Sequence, residues 1–389
     1  MRPGRQPAIA REQLVRWTQM LVRHPSPQTE LFERDPQIQS FIGETIVALA
    51  DELALPWRRD AMGNLLIELG PQGADRSLML MTYAMTHPAN RMRAPFAGEL
   101  IEETGGRYVR GRGVSEQKGA LAAAFAAVKA AARRRDLAGR LSLVVSTAGE
   151  TGRHDAAICA CEALGYIPRL AVIALGTDGR VALANKGRID VVVTVRGKAT
   201  HSSMPWAGID AIAGARRVLD RMDALDLNGR RHPELGTATL TPTSVRSWPD
   251  ATHTLQDEVR LVLDRRLLPG EDPEAAFAAI AASANAIGAP WQVTVERGPF
   301  MYPAEIPSDG VLMQAVAGGR RRMGLEPPAT FHSHGALDAG LFCARGSEAA
   351  MWGPGAVAQW HSDDERIAVD DLLVGAASYL GLIEEYLCP

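Results

Sequence analysis

Cysteine is scarce in this chain: Cys159, Cys161, Cys343 and Cys388 are the only four among 389 residues. They show no C-x-x-C spacing and no dense framework. A disulfide scaffold is therefore excluded, and a reduced, cytoplasmic setting is expected. Long apolar runs are missing too. The apolar stretch from Gly119 to Ala127 is too short to span a bilayer and gives way at Lys129. Neither sign of charge dominates: 42 Lys and Arg face 45 Asp and Glu, for a formal net of -3. No block of like charge suggests a nucleic acid or an anionic membrane as partner. The opening Met1-Arg2-Pro3-Gly4-Arg5-Gln6-Pro7 has basic residues but no apolar run behind them, so a signal peptide is not expected. There is no internal repeat and no low-complexity tail.

What is present is enough length for two domains with a real core. Arg11 to His24 reads as an amphipathic helix stopped by Pro25 and Pro27, and a second helix is expected from about Gln37 to Leu53. Strands are expected at Gly63–Leu69, Ser77–Thr82, Leu141–Ser146 and Leu170–Leu175. The continuously apolar Leu78-Met79-Leu80-Met81 suits a strand buried on both faces. Gly119 to Arg133 is an Ala-rich helix able to pack closely on a sheet. Strands alternating with helices predict an α/β sheet.

The texture changes near Arg188. Ile189–Val195, Thr237–Thr241, Val259–Arg265 and Trp291–Val295 read as strands, with helices from Gly208 to Leu225 and from Pro273 to Ala286. This βαββαβ order is a compact α+β, ferredoxin-like module inserted into the larger domain. The α/β texture resumes near Tyr302.

Four segments carry chemistry. Gly111-Arg112-Gly113-Val114-Ser115-Glu116-Gln117-Lys118-Gly119 opens the Ala-rich helix. Gly353-Pro354-Gly355 precedes Trp360-His361-Ser362-Asp363-Asp364-Glu365. The inserted module holds Gly197-Lys198-Ala199-Thr200-His201-Ser202-Ser203-Met204-Pro205 and Asp264-Arg265-Arg266-Leu267-Leu268-Pro269-Gly270-Glu271. Together they resemble the framework of the M20 family of zinc amidohydrolases and peptidases, over nearly the whole chain. The resemblance implies a zinc-peptidase-like catalytic domain in two parts, 1–187 and 300–389. Between them, 188–299 would be a lid and dimerisation domain, making the protein a homodimer or a higher homo-oligomer.

Members of that family hold two metals. Where they keep a His-x-Asp, this chain has Tyr83 and Met85. The bridging Asp is replaced by Glu116. The Glu-Glu pair is replaced by Gly149-Glu150, so the general base is missing and the adjoining ligand is kept. The acidic ligand before Pro-Thr maps to Leu175, and the late His is kept as His361. The losses fall on one metal: its two private ligands are gone, while Glu116, Glu150 and His361 form a complete set for the other. Random decay would damage both. Three mixed N and O ligands leave positions open for water or substrate, which is the arrangement of a catalytic metal. One divalent ion, zinc or manganese, is the expected cofactor. The bland alternative is a relic framework that holds no metal.

His87 is a possible substitute ligand, or an ordinary loop histidine. His332 and His334 stand before Asp338 and admit surface or ligating roles. In the family the His matching His201 stabilises the developing oxyanion, so His201 is a candidate catalytic residue beside Tyr83 and Glu116. An arginine at Arg265 or Arg266 could bind a substrate carboxylate bidentately, or simply pair with Asp264. Tyr83, Met85, Leu175 and Trp360 would make the pocket apolar and aromatic. The expected function is hydrolysis of a C–N bond (amide, carbamoyl or aromatic amine) in a small apolar or aromatic substrate. The alternatives are a metal-free or non-catalytic small-molecule binder, and a lyase or cyclase reusing the cleft.

Overall fold

The structure is a computed structural model, and it describes residues 10–149, 152–227 and 229–389. The contacts divide the chain into two units. The first comprises the chain up to Ala184, Ala304–His332 and Leu337–Pro389; the second comprises Asn185–Pro303 and Ser333–Ala336.

The first unit is built on a six-stranded sheet. In spatial order its strands are Trp57–Arg59, Leu65–Leu69, Arg140–Ser146, Ser77–Tyr83, Leu170–Ile173 and Glu348–Met351. The last four run parallel to one another and the first two are antiparallel additions. Side chains alternate across the sheet with the period of two that the pleat imposes. Leu78 and Leu80 enter one hydrophobic cluster, and Met79, Met81 and Tyr83 enter the cluster on the other face. Burial on both faces explains the uninterrupted apolar run.

The helix Gly119–Ala131 is buried along almost its whole length. Its alanines let it lie close to the sheet, and the long helix Val369–Leu387 packs against it. The second predicted helix is three consecutive helical segments, Pro36–Ser40, Phe41–Ile46 and Val47–Glu52. Asp35 starts this run by accepting a hydrogen bond from the Gln37 amide at 2.7 Å. On the opposite face Asp155–Leu164 buries Ala157, Ala160 and Cys161.

Burial pushes the Cys161 thiol up to about 12. Native protein treated with iodoacetamide at neutral pH should therefore leave Cys161 unmodified in peptide mass spectra. Rapid labelling there would contradict this packing.

The second unit contains an antiparallel four-stranded sheet in the order Thr239–Trp248, Glu258–Leu267, Gly187–Arg196, Gln292–Met301. Helices Ala211–Asp223 and Pro273–Asn285 complete a βαββαβ order. The strand expected to stop at Thr241 instead runs through Pro242 to Trp248. Proline is tolerated there because the strand is an edge and shifts register between Pro242 and Ser244. Among the described residues no helix is long and apolar enough to cross a membrane.

Candidate metal centre

Ligands of a mostly parallel sheet gather beyond the carboxyl ends of its strands. Here Tyr83 ends one such strand, Ser146 ends its neighbour, and the loops after Ile173 and Met351 end two more. Glu116 arrives from the side, on the tight turn Val114–Lys118 that precedes the Ala-rich helix. This turn is wound with wide hydrogen bonds: the Lys118 amide donates to the Gly113 carbonyl at 2.7 Å. Wide turns of this kind are common at functional sites. Gly113 enters the turn at φ +78, which favours glycine. Gly355, at φ +106, lies where a Cβ would strike the Ser115 backbone. The glycines of both motifs are thus explained by close approach of two loops.

Glu365 holds this turn in place. Its carboxylate accepts from the Gly113, Ser115 and Glu116 amides at 2.8, 3.0 and 3.2 Å, and from Arg112 Nη1 at 3.0 Å. Both side chains of the Arg112–Glu365 pair are 0 % exposed. The free N–H groups at the start of a helix attract an anion, and Glu365 supplies one. Sequence reasoning missed this role. The available signal was an acidic residue one turn beyond the late histidine, with a buried glycine-rich helix start in need of an acceptor.

Glu116 is itself fully buried, and His361 Nε2 stands 3.1 Å from its Oε1. Two ligands of a tetrahedral zinc stand roughly 3.3 Å apart, from metal–ligand distances near 2.0–2.1 Å. The pair therefore suits a shared ion in donor type and spacing. His361 is held at φ +59, a conformation uncommon outside glycine. His87 stacks on it, with ring centroids 3.9 Å apart. Burial, then the neighbouring His361, lowers the His87 pKa from its ordinary value, despite an opposing contact with the Pro88 carbonyl. Glu150, the third expected ligand, lies outside the described residues. Among the described residues no group of three or more His, Cys, Asp or Glu is arranged to hold a metal ion.

Tyr83 and Gly149, which the resemblance sets at the positions of the first His and the general base, pack together at the end of their strands. Tyr83 donates from its phenol to Asp338 Oδ2 at 2.7 Å, and the Asp338 amide donates back to the Tyr83 phenol oxygen at 3.3 Å. His154 Nδ1 lies 2.7 Å from Asp338 Oδ1, and all three residues are buried. Gly149 sits against Tyr83: a Cβ there would stand 2.8 Å from the Tyr83 Cβ and closer still to the ring. The residues standing for the first His and the general base are thus one packed unit.

Several expected roles change. Tyr83 is committed to Asp338, so it positions groups and is not placed to accept a proton. Met85 and Leu175 are 2 % and 0 % exposed and belong to the hydrophobic clusters, so they do not line a pocket. Each continues the buried faces of its strand into the following loop. Trp360 is half-buried against one cluster, and its buried indole N–H has no hydrogen-bond partner among the described residues. In the second unit Arg265 is 1 % exposed and pairs with Glu271 at 2.6 Å, which removes it as a substrate contact. The pairing with Asp264 belongs to Arg266, at 2.7 Å. His201 is exposed, with Nδ1 2.8 Å from Ser203 Oγ. His332 is half-buried and His334 exposed.

The chain is 25 % identical over 346 residues to the uncharacterized protein YgeY of Escherichia coli, covering 83 % of each. It is 28 % identical over 323 residues to acetylornithine deacetylase of Myxococcus xanthus, covering 80 % of each. Its fold matches that of the M20 family metallo-carboxypeptidase Sso-CP2 from Sulfolobus solfataricus with a TM-score of 0.77 at 16 % identity, covering 96 % of this chain and 99 % of that one. Residues 86–385, well over half of the chain, match the profile of peptidase family M20/M25/M40. With glycine-built loops carrying Glu116 and His361 at the strand ends of a mixed α/β fold, the chain belongs to that family.

Proposed function

We propose that this family member hydrolyses an amide-type C–N bond with one divalent ion, zinc or manganese, held by Glu116, Glu150 and His361. The observation that carries the reading is Tyr83. This residue stands where the family resemblance expects the first ligand of the other metal, and its phenol is tied to Asp338, while Glu116 and His361 stay 3.1 Å apart. A bound ion would supply Lewis-acid polarisation of the scissile group and acidify a water.

The chain's own groups do the rest. Gly149 cannot move a proton, so proton transfer falls to Glu116. Trp360, next in sequence to His361 and half-buried, keeps its proposed role as a substrate contact. That indole also supports an apolar or aromatic substrate, a class for which Met85 and Leu175 no longer argue. His201 keeps its proposed role as an oxyanion donor, carried only by the motif around it. Self-association through the second unit is supported by its edge strand, where Val245 and Trp248 are exposed.

Metal analysis of protein purified without chelator should find one equivalent per chain. Glu116→Ala and His361→Ala should each lose it, with turnover of an acyl-amide, carbamoyl and arylamine panel falling at least about 100-fold. Two equivalents, or full activity in both variants, would reject the mononuclear site. A metal-free binder remains the second reading, because Glu116 and His361 also satisfy each other directly. Wild-type protein with no metal and no turnover would establish it.

A further inference from the structure

A cleft of about 370 Å³ lies within the first unit, lined by the Gly353–Gly355 loop and by Arg320 and Asp371. Its size is that of a small-molecule site. Arg320 is half-buried there. Its Nε donates to the Glu326 carbonyl at 2.6 Å and its Nη1 to Ser378 Oγ at 2.7 Å. Both acceptors are neutral. Among the described residues no carboxylate pairs with this guanidinium, and burial alone acts on its pKa, downward. The two bonds fix the side chain and leave further N–H donors unassigned.

Negative charge stands at another part of the wall. Asp371 has no ion-pair partner among the described residues, and Asp178 nearby is engaged by Arg180 at 3.0 Å. Asp371 keeps solvent exposure, and partial desolvation, then Asp370 and Asp178, raise its pKa, as expected of an anion that lacks a cation. Asp371 and Ser378 lie seven residues apart on the helix Val369–Leu387, about 10 Å along its axis. Trp352 and Pro327 supply apolar wall. The cleft therefore presents a fixed cation and a separate anion, and Val374 and Gly375, between Asp371 and Ser378 on that helix, also line it.

We propose that this cleft binds a small zwitterion whose carboxylate and ammonium are separated by a short alkyl chain, as in a free basic amino acid or an ω-amino acid. The carboxylate sits on Arg320, where a guanidinium can donate two parallel bonds. The ammonium sits at Asp371. An α-amino acid without a cationic side chain has its charges too close together to reach both. The site is separate from Glu116 and His361 but shares their scaffold. The Thr177 and Asp178 amides donate to the Gly353 and Gly355 carbonyls, and the Gly176 amide donates to the Glu116 carbonyl at 2.9 Å.

The test is titration calorimetry on the full chain with ε-aminocaproate and L-lysine, against glycine, caproate and hexylamine. Both zwitterions should bind wild type and His361→Ala equally, and each control at least about tenfold more weakly. Arg320→Met should weaken binding by a similar factor. Because Arg320 also holds Ser378, thermal unfolding must show the variant folded. Asp371→Asn, at an exposed position, gives an independent check with the same expected loss. No binding at millimolar ligand, caproate binding as well as ε-aminocaproate, or loss in His361→Ala instead of the cleft variants would overturn the proposal. Because His361→Ala removes only the metal centre, the result stands or falls apart from the proposed hydrolase activity.

Discussion

Glu365→Ala should destabilise the protein by about 3–5 kcal/mol, because it breaks a buried ion pair by removing one partner. Arg112 and Glu365 are both 0 % exposed, so the stranded guanidinium cannot turn to solvent. Among the described residues it would keep the Ala89 backbone carbonyl, which accepts from Arg112 Nη2 at 3.1 Å. Three amides of the turn would also lose their acceptor, and each buried donor left unmet adds to the cost. The same turn carries Glu116, so metal affinity should fall together with stability. Glu365→Gln keeps shape and one carbonyl acceptor but loses the charge, and should lie between. Urea unfolding of the three proteins checks this. A loss below about 1 kcal/mol for alanine, the range of an exposed pair, would show that Glu365 does not organise the turn.

Much of the fold was legible because the signals were local. Leu78 to Met81 announced a strand buried on both faces, and the alanines after Gly119 announced a helix packed closely on a sheet. The glycines at Gly113 and Gly355 marked loops that approach closely, and the structure shows what each approaches. Local reasoning failed where a partner far along the chain decides the outcome. Tyr83 meets Asp338 across 255 positions, and Arg112 meets Glu365 across 253. Nothing near Tyr83 in sequence reveals that its phenol is committed, so it passed for a candidate base. Met85 and Leu175 passed for pocket walls for the same reason. A residue at a family ligand position need not face the site once that ligand is gone, and both have joined the core. The strand expected at Thr237–Thr241 continues through Pro242, because an edge strand with a register shift accommodates the proline.

Tyr83, Asp338 and His154 form one buried polar network, with hydrogen bonds of 2.7 Å on each side of the Asp338 carboxylate. Such a buried network is favourable only when its members are satisfied together. It fixes the end of the Ser77–Tyr83 strand without a metal, while the Glu116 and His361 side of the site keeps its donors.

Gly149 and Tyr83 should therefore behave as a coupled pair, and neither can be reverted alone. Gly149→Ala is expected to cost about 3 kcal/mol, at the upper end of overpacking in a rigid core. The added Cβ would lie 2.8 Å from the Tyr83 Cβ and nearer to ring atoms, and the ring cannot swing away while its phenol is bonded to Asp338. Tyr83→Ala alone should also destabilise by about 3–5 kcal/mol, through the lost ring and the hydrogen bond removed from Asp338 Oδ2. In the double variant the ring is gone, so the added methyl meets only the Cβ. The double loss should then fall short of the sum by about 1–3 kcal/mol, the coupling of residues in direct contact. Gly149→Glu, which restores the family base in name, should be at least as costly as Gly149→Ala and should not bring back a second metal. Denaturant unfolding of the four proteins and metal counting on Gly149→Glu test both halves. Additive losses would mean that the ring and the glycine are independent, and a second equivalent of metal in Gly149→Glu would mean that Tyr83 does not close the site.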